Sequence, residues 1–507
     1  MSFNAQTPPT GTLRDLIDLR ADQTPDGISH VFADEGGREL SWRELRDEAA
    51  TVALRLSGMG VVAGESVALC MQNSRDAIIG LFGVLYGGFR ATPLNLVAGA
   101  DAMGYAVSHS EAKVALVGVG QRDVFDAALA AHPASVVIVE VAEGIRWPSS
   151  AEGIVPQVDA GDPALLMYTS GTTGRPKGVV HSQASLLAGG WTPAVAHALT
   201  AEDRALCVLP YFHINGLCVT LMGPLVSGGV SVVCTKFSNS RFWAHCAEYR
   251  ATWASVVPTI ISHLLHAELT PDADVVERLR FIRSASAPLA IETQVEFEKR
   301  FGAPIVETMG LTETAAQILS NPLPPGVRKV GSPGVAVGNE ACIILDGAIV
   351  DQHVSGELAI RGPNVMVEYL NNPKANAETF TPDGWLLTGD LGHMDEDGYV
   401  YITGRRKELI IKGGENIAPR EIDEALYTHP AVVEAAAFPR PCDSYGQRVE
   451  AAVQVRGGAG VTEAELITLC CERVGAFKAP DKVHFLEELP KGPSGKIQRI
   501  KLPEMTA

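Results

Sequence analysis

An α/β fold is predicted for this 507-residue chain by three observations. Short apolar runs alternate with amphipathic stretches through roughly the first four hundred residues, the pattern of βαβ units and mainly parallel sheets. After about residue 330 the pattern changes to shorter strands among Gly-, Pro- and Asp-rich turns, which predicts a β-rich subdomain over about 330–403. A polar break, Gly404-Arg405-Arg406-Lys407, then precedes a further α+β segment over 408–507. The expected division is a large domain over 1–403, a connector at 404–407 and a small C-terminal domain.

Residues 66–71, 113–117, 135–141, 205–209, 230–234 and 253–257 read as buried strands because they are short, apolar and bounded by turn residues. Residues 42–56, 75–86 and 241–248 read as amphipathic helices between them. In the later region, 341–345, 356–360 and 399–402 read as strands. Neither internal repeats nor low-complexity tracts are evident in the sequence.

Composition narrows the function. Hydrophobic residues make up 46% and charged residues 20%, enough for a large buried core. A formal net charge of -18 disfavours nucleic acid and anionic membrane as principal partners, since both are held by basic patches. Nine cysteines occur without a CxxC pair or Cys/His ligand spacing, so neither a zinc site nor a disulfide framework is expected. Residues 1–14 hold no apolar signal-peptide core, and the apolar runs are shorter than the roughly 20 residues that span a bilayer. Met505-Thr506-Ala507 is not a peroxisomal address. The expectation is a soluble, cytoplasmic protein, monomeric or homodimeric.

The segment with the clearest chemistry follows the apolar strand 164–168. Thr169, Ser170, Gly171, Thr172, Thr173 and Gly174 lead into Arg175-Pro176-Lys177-Gly178. Glycines let backbone N–H groups converge on an anion, while the hydroxyls and Lys177 add donors and charge, so the loop suits a triphosphate. It is not a Walker A loop, because it lacks the Gly-Lys-Ser/Thr ending.

This loop resembles the phosphate-binding signature of the adenylate-forming superfamily, which includes acyl-CoA synthetases, luciferases and the adenylation domains of peptide synthetases. The resemblance continues in order along almost the whole chain. Pro210-Tyr211-Phe212-His213 looks like the segment that gates the acyl pocket, and Met309-Gly310-Leu311-Thr312-Glu313-Thr314 like the central adenylate motif. The run Gly384-Trp385-Leu386-Leu387-Thr388-Gly389-Asp390, with Gly404-Arg405, looks like the ribose-binding elements. Lys407 falls at the family's hinge, and Lys491-Gly492-Pro493-Ser494-Gly495-Lys496 looks like the catalytic-lysine loop.

The resemblance implies an ATP-dependent ligase that activates a carboxylic acid as its acyl-adenylate and passes the acyl group to coenzyme A, releasing AMP and pyrophosphate. The phosphates would meet the Thr169–Gly174 loop and Lys177. Ser286, Ala287, Pro288, Met309, Gly310 and Leu311 would flank the nucleotide, and Thr312 would donate to the α-phosphate. Asp390 can accept two ribose hydroxyls, and Arg405 adds a charged donor. Glu313 is the expected Mg²⁺ ligand, since Mg²⁺ takes one carboxylate together with phosphate oxygens and water. Lys496 is the expected catalytic cation for adenylation. The small domain would then turn about Lys407, so that Lys412, Gly413 and Gly414 line a tunnel for the thiol.

Two departures are visible. Met309 stands where the family often has a Tyr stacked on adenine, and a thioether can pack there instead. The segments 279–289 and 319–324 resemble the oxalyl-CoA synthetase branch, yet Ala316 stands where that branch's substrate-facing histidine is expected. A small dianion calls for donors such as Ser284, Ser286, Asn215 or Arg283, with His213 positioning the carboxylate. No carboxylate is present in Phe212-His213-Ile214-Asn215 to pair an amino group, which disfavours an amino acid substrate. A small anionic acid (oxalate-, malonate- or sulfoacetate-like) and a medium-chain or aromatic acid both remain open. So do an enzyme that loads a separate carrier protein and a nucleotide-binding regulator without turnover.

Overall fold

The structure is a computed structural model; it describes residues 4–148, 153–169, 175–458, 460–492 and 497–506. Among these residues the strands assemble into four sheets.

Two large sheets carry the N-terminal part. In one of eight strands, the parallel centre is built from Pro163–Thr169, Arg90–Pro93, Ser66–Cys70, Val114–Gly118 and Val137–Ala142. In the other, of nine, the parallel centre runs from Ile305–Leu311 through Phe281–Ser284, Trp253–Val256, Arg204–Cys207 and Val230–Val233 to Ile28–Phe32. Helices cover both faces of such sheets, which is why their strands are apolar throughout rather than alternating; all five residues of Ser66–Cys70 are buried. The strands expected from the sequence at 66–71, 113–117, 135–141, 205–209, 230–234 and 253–257 fall on these elements to within a few residues.

The helices begin at side-chain caps that satisfy orphan backbone donors. Thr12 and Ser41 each form a capping box with the acid three residues on, starting Leu13–Gln23 and Trp42–Gly58. Arg75–Tyr86 differs from its expected amphipathic character, since it is buried on nearly every side. Gly83 makes that possible: a Cβ there would lie 2.4 Å from the Val52 side chain of the neighbouring helix.

The β-rich subdomain is an antiparallel sheet ordered Ala348–Ile349, Glu340–Leu345, Gly356–Arg361, Leu386–Met394 and Val400–Arg405. Leu386–Met394, the longest of these, was not expected as a strand. Its run Thr-Gly-Asp-Leu-Gly has low strand propensity and is held extended by partners on both edges. Gly404 and Arg405 end the last strand, and only Arg406–Glu408 form the turn that follows.

From Ile410 onward the chain builds a separate core. Ile410–Lys412, Glu415–Ile417, Val432–Cys442, Gly446–Val455 and Lys482–Phe485 form its sheet, packed by helices Pro419–Tyr427 and Glu463–Val474. All nine cysteines are free. Among the described residues no helix is long and apolar enough to cross a membrane.

Candidate nucleotide and acyl site

A cavity of about 300 Å³ lies between the nine-stranded sheet, the antiparallel subdomain and the C-terminal unit. One wall is the strand Ile305–Leu311, whose Met309, Gly310 and Leu311 face it, with Ser286, Ala287 and Pro288 alongside. Asp390, Gly404 and Arg405 form a second wall. The third comes from the C-terminal unit and includes Arg420, Tyr427, Ile497 and Arg499.

Strained backbone occurs at Ser286 on the cavity wall and at Ala315 and Ala316 behind it. Ser286, Ala315 and Ala316 hold φ of 76°, 44° and 83°, the left-handed region that side chains disfavour. Gly310 is required by the same turn: a Cβ at this position would sit 1.6 Å from the Ala316 carbonyl oxygen.

The phosphate-loop expectation falls partly outside the description. Strands Pro163–Thr169 and Lys177–Ser182 pair antiparallel with Thr169 opposite Lys177. Ser170, Gly171, Thr172, Thr173 and Gly174 lie outside the described residues. Lys177 is held from below: its ammonium sits 4.3 Å from the centre of the Tyr369 ring, and the Tyr369 hydroxyl donates to Glu313 Oε1 at 2.7 Å. Burial, with the Lys407 charge adding to it, holds the Lys177 ammonium below its ordinary range. Residue type and setting at Glu313 fit Mg²⁺: one carboxylate beside a lysine, leaving other positions to phosphate oxygens and water. Among the described residues no cluster of three acidic, His or Cys side chains forms an all-protein metal cage.

Thr312 opens the 3₁₀ turn Thr312–Thr314, and its carbonyl accepts from His181 Nε2 at 2.7 Å. Burial pushes the His181 imidazole down to about 4, so it is neutral and acts as a fixed donor. Asp390 and Arg405 are cross-strand partners, joined Nε to Oδ1 at 2.8 Å. Asp390 is 3% exposed and lines the cavity, and a carboxylate is the side chain that accepts from ribose hydroxyls. Its negative charge raises the Arg405 guanidinium above its usual range.

His213 and Asn215, expected at the acyl pocket, do not line the cavity: His213 is half-buried beside Phe212, and Asn215 begins a π-helical segment, Asn215–Met222. Insertions of this kind recur at functional sites. Asn215 Nδ2 donates to Ser286 Oγ at 3.2 Å. Arg283 and Ser284 do not line the cavity; they are 1% and 0% exposed in the strand Phe281–Ser284. Ala316 is also buried.

The C-terminal unit turns one face to the cavity. Ile497 and Arg499 line it, and Arg499 is anchored by Asp423 and by Glu408 at 3.5 Å. Lys496, next in the chain to Ile497, lies outside the described residues. Lys412, Gly413 and Gly414 do not line the cavity. Lys412 is buried against the Phe477 ring, with Asp481 at 3.4 Å. Gly413 and Gly414 make the two-residue turn between Ile410–Lys412 and Glu415–Ile417, with φ of 61° and 87°. Lys407 is exposed in the turn Arg406–Glu408. Tyr369, His181 and Arg499 were missed from the sequence, because nothing local distinguishes them and only long-range pairing brings them to the site.

Fold and site are those of an AMP-forming acid–thiol ligase. The chain belongs to the AMP-binding enzyme family: that family matches residues 17–370, and the AMP-binding enzyme C-terminal domain matches 421–496. It is 42% identical to a sulfoacetate–CoA ligase of Cupriavidus necator, over 99% of both chains. It is 37% identical to an oxalate–CoA ligase of Arabidopsis thaliana, over 96% of this chain and 97% of the relative. Among solved structures, ATP-bound MatB from Rhodopseudomonas palustris superposes with a TM-score of 0.88 at 30% identity, covering 97% and 98% of the two chains. The o-succinylbenzoate CoA synthetase of Bacillus subtilis in complex with its acyl-adenylate intermediate gives 0.85 at 29%, covering 98% of each. ATP, a small carboxylic acid and coenzyme A are the substrates of this class, with Mg²⁺ as the accompanying ion.

Proposed function

We propose that the chain joins coenzyme A to a small acid bearing a second anionic group, of the sulfoacetate or oxalate type, and that it does so in the cytoplasm. The observation that carries this reading is the shared cavity. Met309–Leu311 and the Asp390–Arg405 pair meet there with the C-terminal face next to Lys496. Relatives named for sulfoacetate and oxalate over nearly the full chain support the acid class.

In the first half-reaction a carboxylate oxygen attacks the α-phosphorus of ATP. The bond to the oxygen bridging the α- and β-phosphates breaks, and pyrophosphate leaves. Charge grows on the equatorial oxygens, and a cation supplied there by Lys496 stabilises that state more than the ground state. Thr312 donates to the α-phosphate, Lys177 and the hydroxyls of 169–174 hold the β- and γ-phosphates, and Asp390 with Arg405 fixes the ribose. Bound at Glu313, Mg²⁺ would offset phosphate charge. His213 and Asn215 orient the attacking carboxylate.

In the second half-reaction the small domain turns about Lys407 and brings Lys412, Gly413 and Gly414 to the acyl-adenylate. The CoA sulfur attacks the carbonyl carbon, the bond from that carbon to the phosphate oxygen breaks, and AMP leaves. Glycines at 413 and 414 leave room for a pantetheine arm beside the backbone.

The test is a panel of acids, from sulfoacetate, oxalate and malonate to octanoate and cinnamate, assayed with ATP and CoA for pyrophosphate, AMP and acyl-CoA. The small dianions are expected to lead the panel by at least about tenfold in kcat/KM. Leading turnover with octanoate or cinnamate would overturn the acid class.

A further inference from the structure

Behind the cavity wall at Ser286 lies a charge without a counter-charge among the described residues. Arg283 is 1% exposed, yet among the described residues no carboxylate lies within ion-pair distance of it. Its partners are neutral. Nη1 donates to Asn215 Oδ1 at 2.8 Å and to Ser255 Oγ at 3.1 Å, and Nε donates to Gln317 Oε1 at 3.1 Å. Sheet register explains why the nearby Glu307 does not pair with it. Glu307 lies opposite Ser284 while Arg283 lies opposite Val306, so their side chains leave opposite faces. Ser255 lies opposite Arg283 on the adjoining strand, on the same face. His197, which shares Gln317 Oε1 at 3.1 Å, is held neutral by burial.

A buried guanidinium without a carboxylate is costly, and such charges are ordinarily paired. Burial lowers this guanidinium to about 9, which leaves it protonated at neutral pH. Its geometry also dictates the orientation of Asn215. A guanidinium can only donate, so the Asn215 amide must turn its oxygen toward Arg283, where the Ser255 hydroxyl also donates at 3.0 Å. The Nδ2 donors are thereby committed to the other side, where one meets Ser286, a residue of the cavity wall. Arg283 is thus linked to the cavity wall through Asn215 and Ser286, and it fixes the amide donor that holds Ser286.

We propose that Arg283 is a positioning and specificity-determining residue for the second anionic group of the acid. It locks the Asn215 Nδ2 donor beside Ser286, and its uncompensated positive charge favours an anion at that end of the site. This deepens the proposed function and rests on it. The Arg283 charge selects a distal anion by field and by the fixed amide, not by direct contact.

The test compares sulfoacetate with methylsulfonylacetate, which keeps the size of the distal group and removes its charge. Each enzyme form meets both acids, so the ratio of their kcat/KM values cancels any loss of folded protein. The parent is expected to favour sulfoacetate by about a hundredfold, and Arg283→Gln to lower that ratio by at least about tenfold. The loss should fall mainly on the KM for sulfoacetate rather than on kcat. Arg283→Lys, which keeps charge but loses the fork, is expected to recover part of the ratio and carries the test if Arg283→Gln does not fold. Asn215→Asp, which supplies the missing carboxylate and removes the donor, should lower the ratio as Arg283→Gln does. A ratio that stays within twofold of the parent in these variants overturns the inference, as does a parent with no preference between the two acids. If methylsulfonylacetate is turned over in that case, the acid–CoA ligase reading itself stands. Pyrophosphate release with neither acid overturns both.

Discussion

At single residues, two buried groups on neighbouring strands, Arg283 behind the cavity and Glu307 on its wall, have their charge decided by their surroundings. Arg283 keeps its charge through a network of neutral oxygens, whereas Glu307 is pushed the other way. The Glu307 carboxyl is 4% exposed, one oxygen lacks a partner among the described residues, and burial raises it from 4.5 to about 7. Its folded-state value lies above its unfolded value. The stabilising contribution is therefore fully present below about pH 4.5 and is lost as pH rises through about 7. That loss is on the order of 3 kcal/mol. Glu307→Gln should flatten the fall, so that urea midpoints of parent and variant diverge between pH 5 and 8, the variant being the more stable at the upper end. Parallel pH profiles would remove this role from Glu307. Of the site residues, those whose chemistry is local were legible in the sequence. The carboxylate in Gly389-Asp390 and the motif glycine at 310 were readable, and both line the cavity, whereas the Thr- and Gly-rich loop after Thr169 lies outside the described residues. Tyr369 and His181 could not be read so. The first reaches Lys177 only because Glu368–Tyr369 pairs with Lys177–Ser182, and the second only because Thr312 folds over it.

Among elements, the two-residue turn Gly413-Gly414 shows how a local rule bears on one half-reaction. Both residues have positive φ, and a Cβ on Gly414 would meet open space, so a side chain there is opposed by backbone conformation rather than by packing. Gly414→Val is expected to destabilise the C-terminal unit by about 1–2 kcal/mol. It should also slow CoA-thioester formation several-fold more than acid-dependent pyrophosphate release. Equal loss in both steps would separate this turn from the thiol path. Strand and helix positions in the parallel sheets were readable because continuous apolar runs are what a doubly covered sheet demands. Leu386–Met394 escaped, since its Gly-Asp-Leu-Gly run is extended by its neighbours and not by its own propensities. The buried character of Arg75–Tyr86 escaped for a related reason: Gly83 admits a helix–helix approach that periodicity does not report.

For the whole molecule, the decisive arrangement is the cavity shared by the nine-stranded sheet, the antiparallel subdomain and the C-terminal unit. Ile497 and Arg499 face it while Lys412 is packed away against Phe477 and Asp481. That disposition suits adenylation before thioester formation, and it could not be read from the chain, because strand and helix patterns carry no information on how separate cores dock. It makes one measurement the most direct: acid-dependent exchange of labelled pyrophosphate into ATP without CoA, with sulfoacetate as the acid, run on the parent and on Lys496→Ala. The parent should exchange label and accumulate an acyl-adenylate, and the variant should lose the exchange by at least about a hundredfold while still binding ATP. Release of ADP and orthophosphate in place of exchange, or exchange by the variant at the parental rate, would contradict a carboxylate attack on the α-phosphorus guided by Lys496.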